Sequence, residues 1–116
     1  MKLLVALAAL AFFAVQDSPV YTPGNGVSLP KVTRQVRAEY TNEARENRIE
    51  GVVMLDAVVL SDGTVGNVAV AESLDTTYGL DANAVKAMKQ WQFEPGMKDG
   101  KAVAVQIHVQ IKYTLK

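Results

Sequence analysis

The sequence contains no cysteine, one histidine and one tryptophan. Without cysteine there is no disulfide staple, no thiol nucleophile and no lipid attachment through a junction cysteine. A small exported domain must then be held together by its apolar core alone. A lone histidine, His108, leaves little material for catalysis, since a serine triad would have to use that one ring. An excess of one charge is also missing. Twelve basic side chains balance twelve acidic ones, so nucleic acid is not an expected partner, because its counterions are displaced by clustered positive charge. A long hydrophobic run occurs only at the start. After Met1 and Lys2, Leu3 to Val15 are thirteen apolar residues, about 20 Å as a helix and short of a roughly 30 Å hydrocarbon core. Residues 1–16 read as a secretory signal peptide cut before Asp17, with a retained short anchor as the alternative.

What is present divides near Tyr40. Residues 17–39 hold three of the four prolines, Pro19, Pro23 and Pro30, and the cluster Pro23-Gly24-Asn25-Gly26. They read as an extended lead-in with no core of its own. From Tyr40 on, Thr41 can cap a short helix through about Arg48. Gly51 to Leu60 is an apolar run, Ser61-Asp62-Gly63-Thr64 is a hairpin signal, and Val65 to Glu72 is the return strand. Leu74 to Gly79 reads as a loop. Leu80, Ala84, Ala87, Met88 and Trp91 then form one helical stripe over Leu80 to Trp91, with Lys86, Lys89 and Gln90 facing away. Asp81 in the first turn suits the helix dipole, and Pro95-Gly96 prevents continuation.

The last segment alternates almost without fault. Val103, Val105, Ile107, Val109, Ile111, Tyr113 and Leu115 share one face, and Ala104, Gln106, His108, Gln110, Lys112 and Thr114 share the other. Such a strand packs one face on a core and wets the other. The order of elements predicts an α+β domain, with a three-stranded, largely antiparallel sheet and two helices on its apolar face.

A catalytic constellation cannot be assembled. His108 falls on the wet face with no acidic residue in its own strand, so neither a triad nor a metal set is expected. Asp56 points to solvent from the first strand, while Asp62 and Asp81 have structural reasons for their positions. The glycines of 24–26 follow a proline rather than a strand, and no Gly-Lys-Ser/Thr follows them. Arg34, Arg37, Arg45 and Arg48, interleaved with Glu39, Glu43, Glu46 and Glu50, read as a solvated, salt-paired surface. Trp91 reads as core. No enzyme and no cofactor are expected.

Several motifs occur together in a fixed order: Tyr40 with Ala44-Arg45, Ile49-Glu50-Gly51-Val52-Val53, Ser61-Asp62-Gly63-Thr64-Val65, and Val68-Ala69-Val70-Ala71-Glu72-Ser73. They are followed by Leu80-Asp81-Ala82-Asn83-Ala84-Val85, Trp91-Gln92-Phe93-Glu94-Pro95-Gly96 and Lys98-Asp99-Gly100-Lys101. In these the chain resembles the C-terminal domain of the TonB energy-transducer family over residues 40–116. Val20-Tyr21 and Gly26-Val27-Ser28-Leu29-Pro30 resemble the lead-in of exported members. The resemblance implies a periplasmic domain that grips a short extended segment of an outer-membrane receptor by adding it as a strand, in energy-coupled transport. By motif position the gripping strand is Val103 to Thr114, and Tyr40 matches the tyrosine of the family's Tyr-Pro motif, with Thr41 in place of the proline. The same strand implies a second reading, a free periplasmic module that binds other envelope proteins without transmitting force. Engagement of inner-membrane proton-channel partners would need residues 1–16 to stay attached as an anchor. A long unblocked edge also invites self-pairing into a homodimer.

Overall fold

Alternation in the apolar run is resolved first by burial. The computed structural model describes residues 19–115, so the apolar segment, the junction before Asp17 and Lys116 lie outside the described residues. In strand β3 (Gly51–Val59), Val53, Leu55, Ala57 and Val59 are fully buried, while Val52, Met54, Asp56 and Val58 between them are half-buried on the opposite face. Strand β4 (Val65–Glu72) returns antiparallel to it, as the Asp-Gly signal requires. At that turn Asp62 accepts hydrogen bonds from the Thr64 amide and hydroxyl. Gly63 adopts φ +88°, and a Cβ there would lie 2.2 Å from the Phe93 carbonyl oxygen. No other residue suits that position.

The long last strand, β7 (Lys101–Tyr113), pairs antiparallel with β3 in nine successive steps, from Gly51 opposite Tyr113 to Val59 opposite Val105. Two shorter strands add to its first half. Strand β1 (Val20–Tyr21) runs parallel to β7, with Val20 opposite Ala104 and Tyr21 opposite Val105. Strand β6 (Gly96–Lys98) forms a hairpin with Lys101 to Val103 through Asp99-Gly100, both at positive φ, the backbone form that suits two-residue hairpins. The sheet therefore has five strands, in the order β1-β7-β3-β4 with β6 also on β7. Strands β2 (Lys31–Arg34) and β5 (Gln92–Glu94) form a separate antiparallel ribbon.

The expected α+β class, a largely antiparallel sheet with two helices, is what the structure has. The strand count is larger than three because β1, β2, β5 and β6 are too short to show a period. The lead-in adds residues to the domain's core. Val27 is buried, and Tyr21, Val36 and Ala38 pack against the cluster.

Helix α1 (Asn42–Glu46) ends earlier than the expected Arg48, which takes φ +54°. Five residues cannot hold a helix alone. Thr41 accepts from the Ala44 amide, donates to the Tyr78 carbonyl, and so ties α1 to the loop before the second helix. That helix, α2 (Leu80–Met88), buries Leu80, Ala84, Ala87 and Met88 and stops before Trp91. Trp91 is buried as expected, and its indole N–H donates to the Val36 carbonyl at 2.9 Å. With the Asn83 amide donating to the Glu39 carbonyl, it fastens the lead-in along α2.

The start of α2 has no side-chain cap of its own, because Gly79 occupies the cap position. Two carboxylates replace it. Asp75 accepts from the Thr77, Tyr78 and Leu80 amides, and Asp81 accepts from the Leu74 and Asp75 amides and the Ser73 hydroxyl. Burial pushes the Asp75 carboxyl up, but its amide donors outweigh that and hold it below the usual carboxylate range. Asp81 thus does more than complement the helix dipole.

Candidate functional site

Each strand of a sheet carries two rows of backbone donors and acceptors, and the rows left unpaired are where another chain can add. On the side of β7 away from β3, β1 covers Ala104 and Val105. Of the thirteen residues of β7, the eight from Gln106 to Tyr113 have no strand on that side among the described residues. They span roughly 27 Å of extended backbone.

The residues expected to bind a partner are placed unequally. Gln106, Ile107, His108, Val109, Gln110, Ile111, Lys112 and Tyr113 form this open half. Val103 is taken up by β6, and Ala104 and Val105 by β1. Thr114 lies beyond the strand, and the following Leu115 amide donates to Glu50, which fixes the chain end beside the start of β3. Tyr40 is on no edge. Its hydroxyl donates to the Ile49 carbonyl, its ring meets Tyr113 edge to face at 5.2 Å, and the Arg45 guanidinium sits over it at 4.9 Å.

Side chains on the open half follow the expected alternation. Ile107, Ile111 and Tyr113 are buried against the core, and His108, Gln110 and Lys112 are exposed. The Tyr113 hydroxyl donates to the Leu80 carbonyl at 3.0 Å. Burial, with Asp81 and Asp75 nearby, pushes that phenol up to about 12. One core contact thus fixes the downstream end of the edge to the start of α2.

The sequence reading missed a partner for His108. Pairing of β3 with β7 sets Asp56 directly opposite it, and the carboxylate meets Nδ1 at 2.5 Å. The signal was register, which needs both strands. By contrast, the salt pairing expected among the arginines and glutamates of 34–50 is not formed. Among the described residues the one lysine or arginine paired with a carboxylate is Lys98, with Asp99. These exposed side chains do not pair with one another, as isolated surface pairs gain little over the entropy they lose; Arg45 lies over the Tyr40 ring and Glu50 accepts from the Leu115 amide instead.

A recess of about 310 Å³ opens where β1 ends and the free edge begins, lined by Thr22, Pro23, Leu29, Gln106, Ile107 and His108. A second, of about 260 Å³, lies between 36–39 and α2. Among the described residues no three metal-binding side chains cluster, and no helix is long and apolar enough to cross a membrane.

Residues 36–115 match the family described as Gram-negative bacterial TonB protein C-terminal. Protein TonB of Vibrio cholerae is 36% identical over 85 residues, which cover 73% of this chain and 34% of that protein. Protein TonB of Escherichia coli is 30% identical over 101 residues, covering 87% and 40%. The chain thus spans well under half the length of these curated relatives. The solution NMR structure of the Pseudomonas aeruginosa TonB CTD superposes with a TM-score of 0.56 at 27% identity, covering 80% of this chain and 92% of that one. With sequence motifs, sheet order and these likenesses in agreement, the chain belongs to the family of Gram-negative bacterial TonB protein C-terminal domains.

Proposed function

We propose that the open half of β7 grips an extended segment of an outer-membrane TonB-dependent receptor by strand addition, in the periplasm, as part of energy-coupled transport across the outer membrane. The family is one of non-enzymatic, receptor-interacting proteins, and likeness to the TonB proteins supports transport as the setting. The observation that carries the reading is the unpaired run from Gln106 to Tyr113, held in register by nine unbroken pairs with β3. About every second residue turns both its N–H and its C=O outward, so the grip draws on backbone bonds that any extended sequence can supply. At about 0.5–1.5 kcal/mol each, several such bonds loaded together resist a pull along the strands.

The test is amide hydrogen exchange by NMR on the full chain, with synthetic peptides spanning the N-terminal segments of TonB-dependent receptors. Binding should slow alternate amides between Gln106 and Tyr113 while leaving those of β4 unchanged. Protection elsewhere, or no binding by any such peptide, would sink the reading.

A further inference from the structure

The edge that receives a partner is bounded at one end by the chain itself. Strand β1 occupies the same side of β7 up to Val105, and the next position on that side is the first open one, Gln106. The lead-in cannot continue along the edge, because Pro23 opens a tight turn in which Gly24 and Val27 exchange backbone hydrogen bonds at 2.9 and 3.1 Å. Three successive residues, Gly24, Asn25 and Gly26, take positive φ to close it.

The returning arm is fixed. Val27 is buried, the Ser28 amide donates to the Met97 carbonyl, and the Met97 amide donates to the Ser28 hydroxyl. Leu29 is therefore carried on a fixed arm, yet it is 63% exposed, the most exposed large apolar residue among the described residues. Its contribution to the core is slight. What it does form, with Pro23 and Ile107, is the apolar part of the recess at the end of β1, while Thr22, Gln106 and His108 supply a polar margin. No carboxylate, lysine or arginine lines it. The volume exceeds the roughly 150 Å³ known to admit a benzene ring, and a lining of this composition favours an aliphatic side chain over a charged one.

Resting on the strand-addition reading, we propose that β1 and this recess set the register of the added segment: the segment ends against β1 at Gln106 and places its last aliphatic side chain against Leu29. Strand addition by backbone bonds alone leaves register free to slip by two residues at a time. A single apolar socket at one end removes that freedom, and it makes the partner an extended segment of about eight residues with Leu, Ile, Val or Met at the end nearest β1.

The experiment is an alanine scan of a receptor peptide that protects the Gln106–Tyr113 amides, titrated against the full chain and against its Leu29→Ala and Leu29→Met variants. Leu29 is exposed, so these variants are expected to fold, and their amide spectra check it. One peptide position, at the end of the protected span next to Gln106, should lose about tenfold in affinity on changing to alanine. That loss should vanish in Leu29→Ala and persist in Leu29→Met. Equal losses in all three proteins, or no sensitive position while the edge amides remain protected, overturn the socket and leave strand addition standing. A peptide set that protects no edge amide overturns both.

Discussion

Two strands of this sheet leave a run of eight residues unpaired on one side among the described residues, and they differ in what decides whether a neighbour can add. Strand β4 is open along its whole length, but its pairing with β3 is interrupted twice, between Met54 and Leu55 and between Ala57 and Val59. Irregularities of this kind twist a strand and spoil the even row of donors and acceptors a new strand needs. Strand β7 is open over a run of the same length, eight residues, and its register with β3 has no break. Of two edges equal in length, the irregular one is thus the poorer template. Regular support from the neighbouring strand, more than exposure, makes an edge fit to receive a partner.

Proline provides the sharpest way to break that comparison. Val109 and Gln110 are adjacent, so one of their N–H groups faces β3 and the other faces the open side. Proline at the inward position should cost about 3 kcal/mol of stability, read by thermal unfolding. Proline at the outward position should leave stability nearly unchanged and weaken receptor-peptide binding at least tenfold. The same pair of substitutions at Ala69 and Val70 in β4 should leave peptide binding intact whenever the fold survives. Loss of binding from the outward β4 variant would transfer the grip to the other edge.

The next effect concerns how each edge is anchored. Beyond β4 the chain enters the loop where Asp75 holds three amides, including that of Leu80. Asp75→Ala strips those donors of their acceptor and should lower stability by roughly 2 kcal/mol at neutral pH. Because the folded carboxyl lies below its ordinary value of 3.8, the stability it contributes is present above that value and is lost as pH falls through the folded one. The gap between parent and variant should therefore close in acid titrations below about pH 3.8. A gap that stays constant would mean that the amides, and not the charge, carry the effect.

At the end of β7 the anchor is Tyr113. Tyr113→Phe leaves the Leu80 carbonyl without its donor and should cost about 1 kcal/mol. The folded phenol is raised from 10.0 to about 12, so the unfolded chain loses its proton first and stability falls as pH rises between those values. The Phe variant should lack this part of the alkaline decline, as followed by circular dichroism. An identical decline in both would place the titrating group elsewhere.

These anchors mark where sequence reading succeeds and where it stops. Strands β3, β4 and β7, the Asp-Gly turn and helix α2 carry a clear period or turn chemistry and are legible from the residues alone. Val20-Tyr21 and Gly96-Met97-Lys98 are too short for any period, although Asp99-Gly100 repeats the hairpin signal that marks Gly63. The open half of β7 could not be separated from its covered half, since β1 reaches it from more than eighty positions away. Asp75 looks like a loop residue until the fold brings the Leu80 amide to it. Arginine and glutamate spacing suggested ion pairs at 34–50, but spacing on an exposed segment does not overcome side-chain entropy.

The smallest effect expected lies between the two edges, at Asp56. On the outer face its neighbour on β4 is Ala69, which offers nothing polar, and its neighbour on β7 is His108. The carboxylate therefore leans towards the open edge, where the His108 side chain remains 69% exposed. Exposure on that scale keeps the pair in high dielectric and within reach of salt. Asp56→Ala should thus cost no more than about 0.5 kcal/mol, and most of that should disappear in 1 M sodium chloride, where screening acts within roughly 3 Å. A double-mutant cycle with His108→Ala isolates the pairwise part. A coupling well above 1 kcal/mol that survives high salt would mean the outer face beside the open edge is sheltered from water, and an added strand would then meet a fixed imidazole rather than a mobile one.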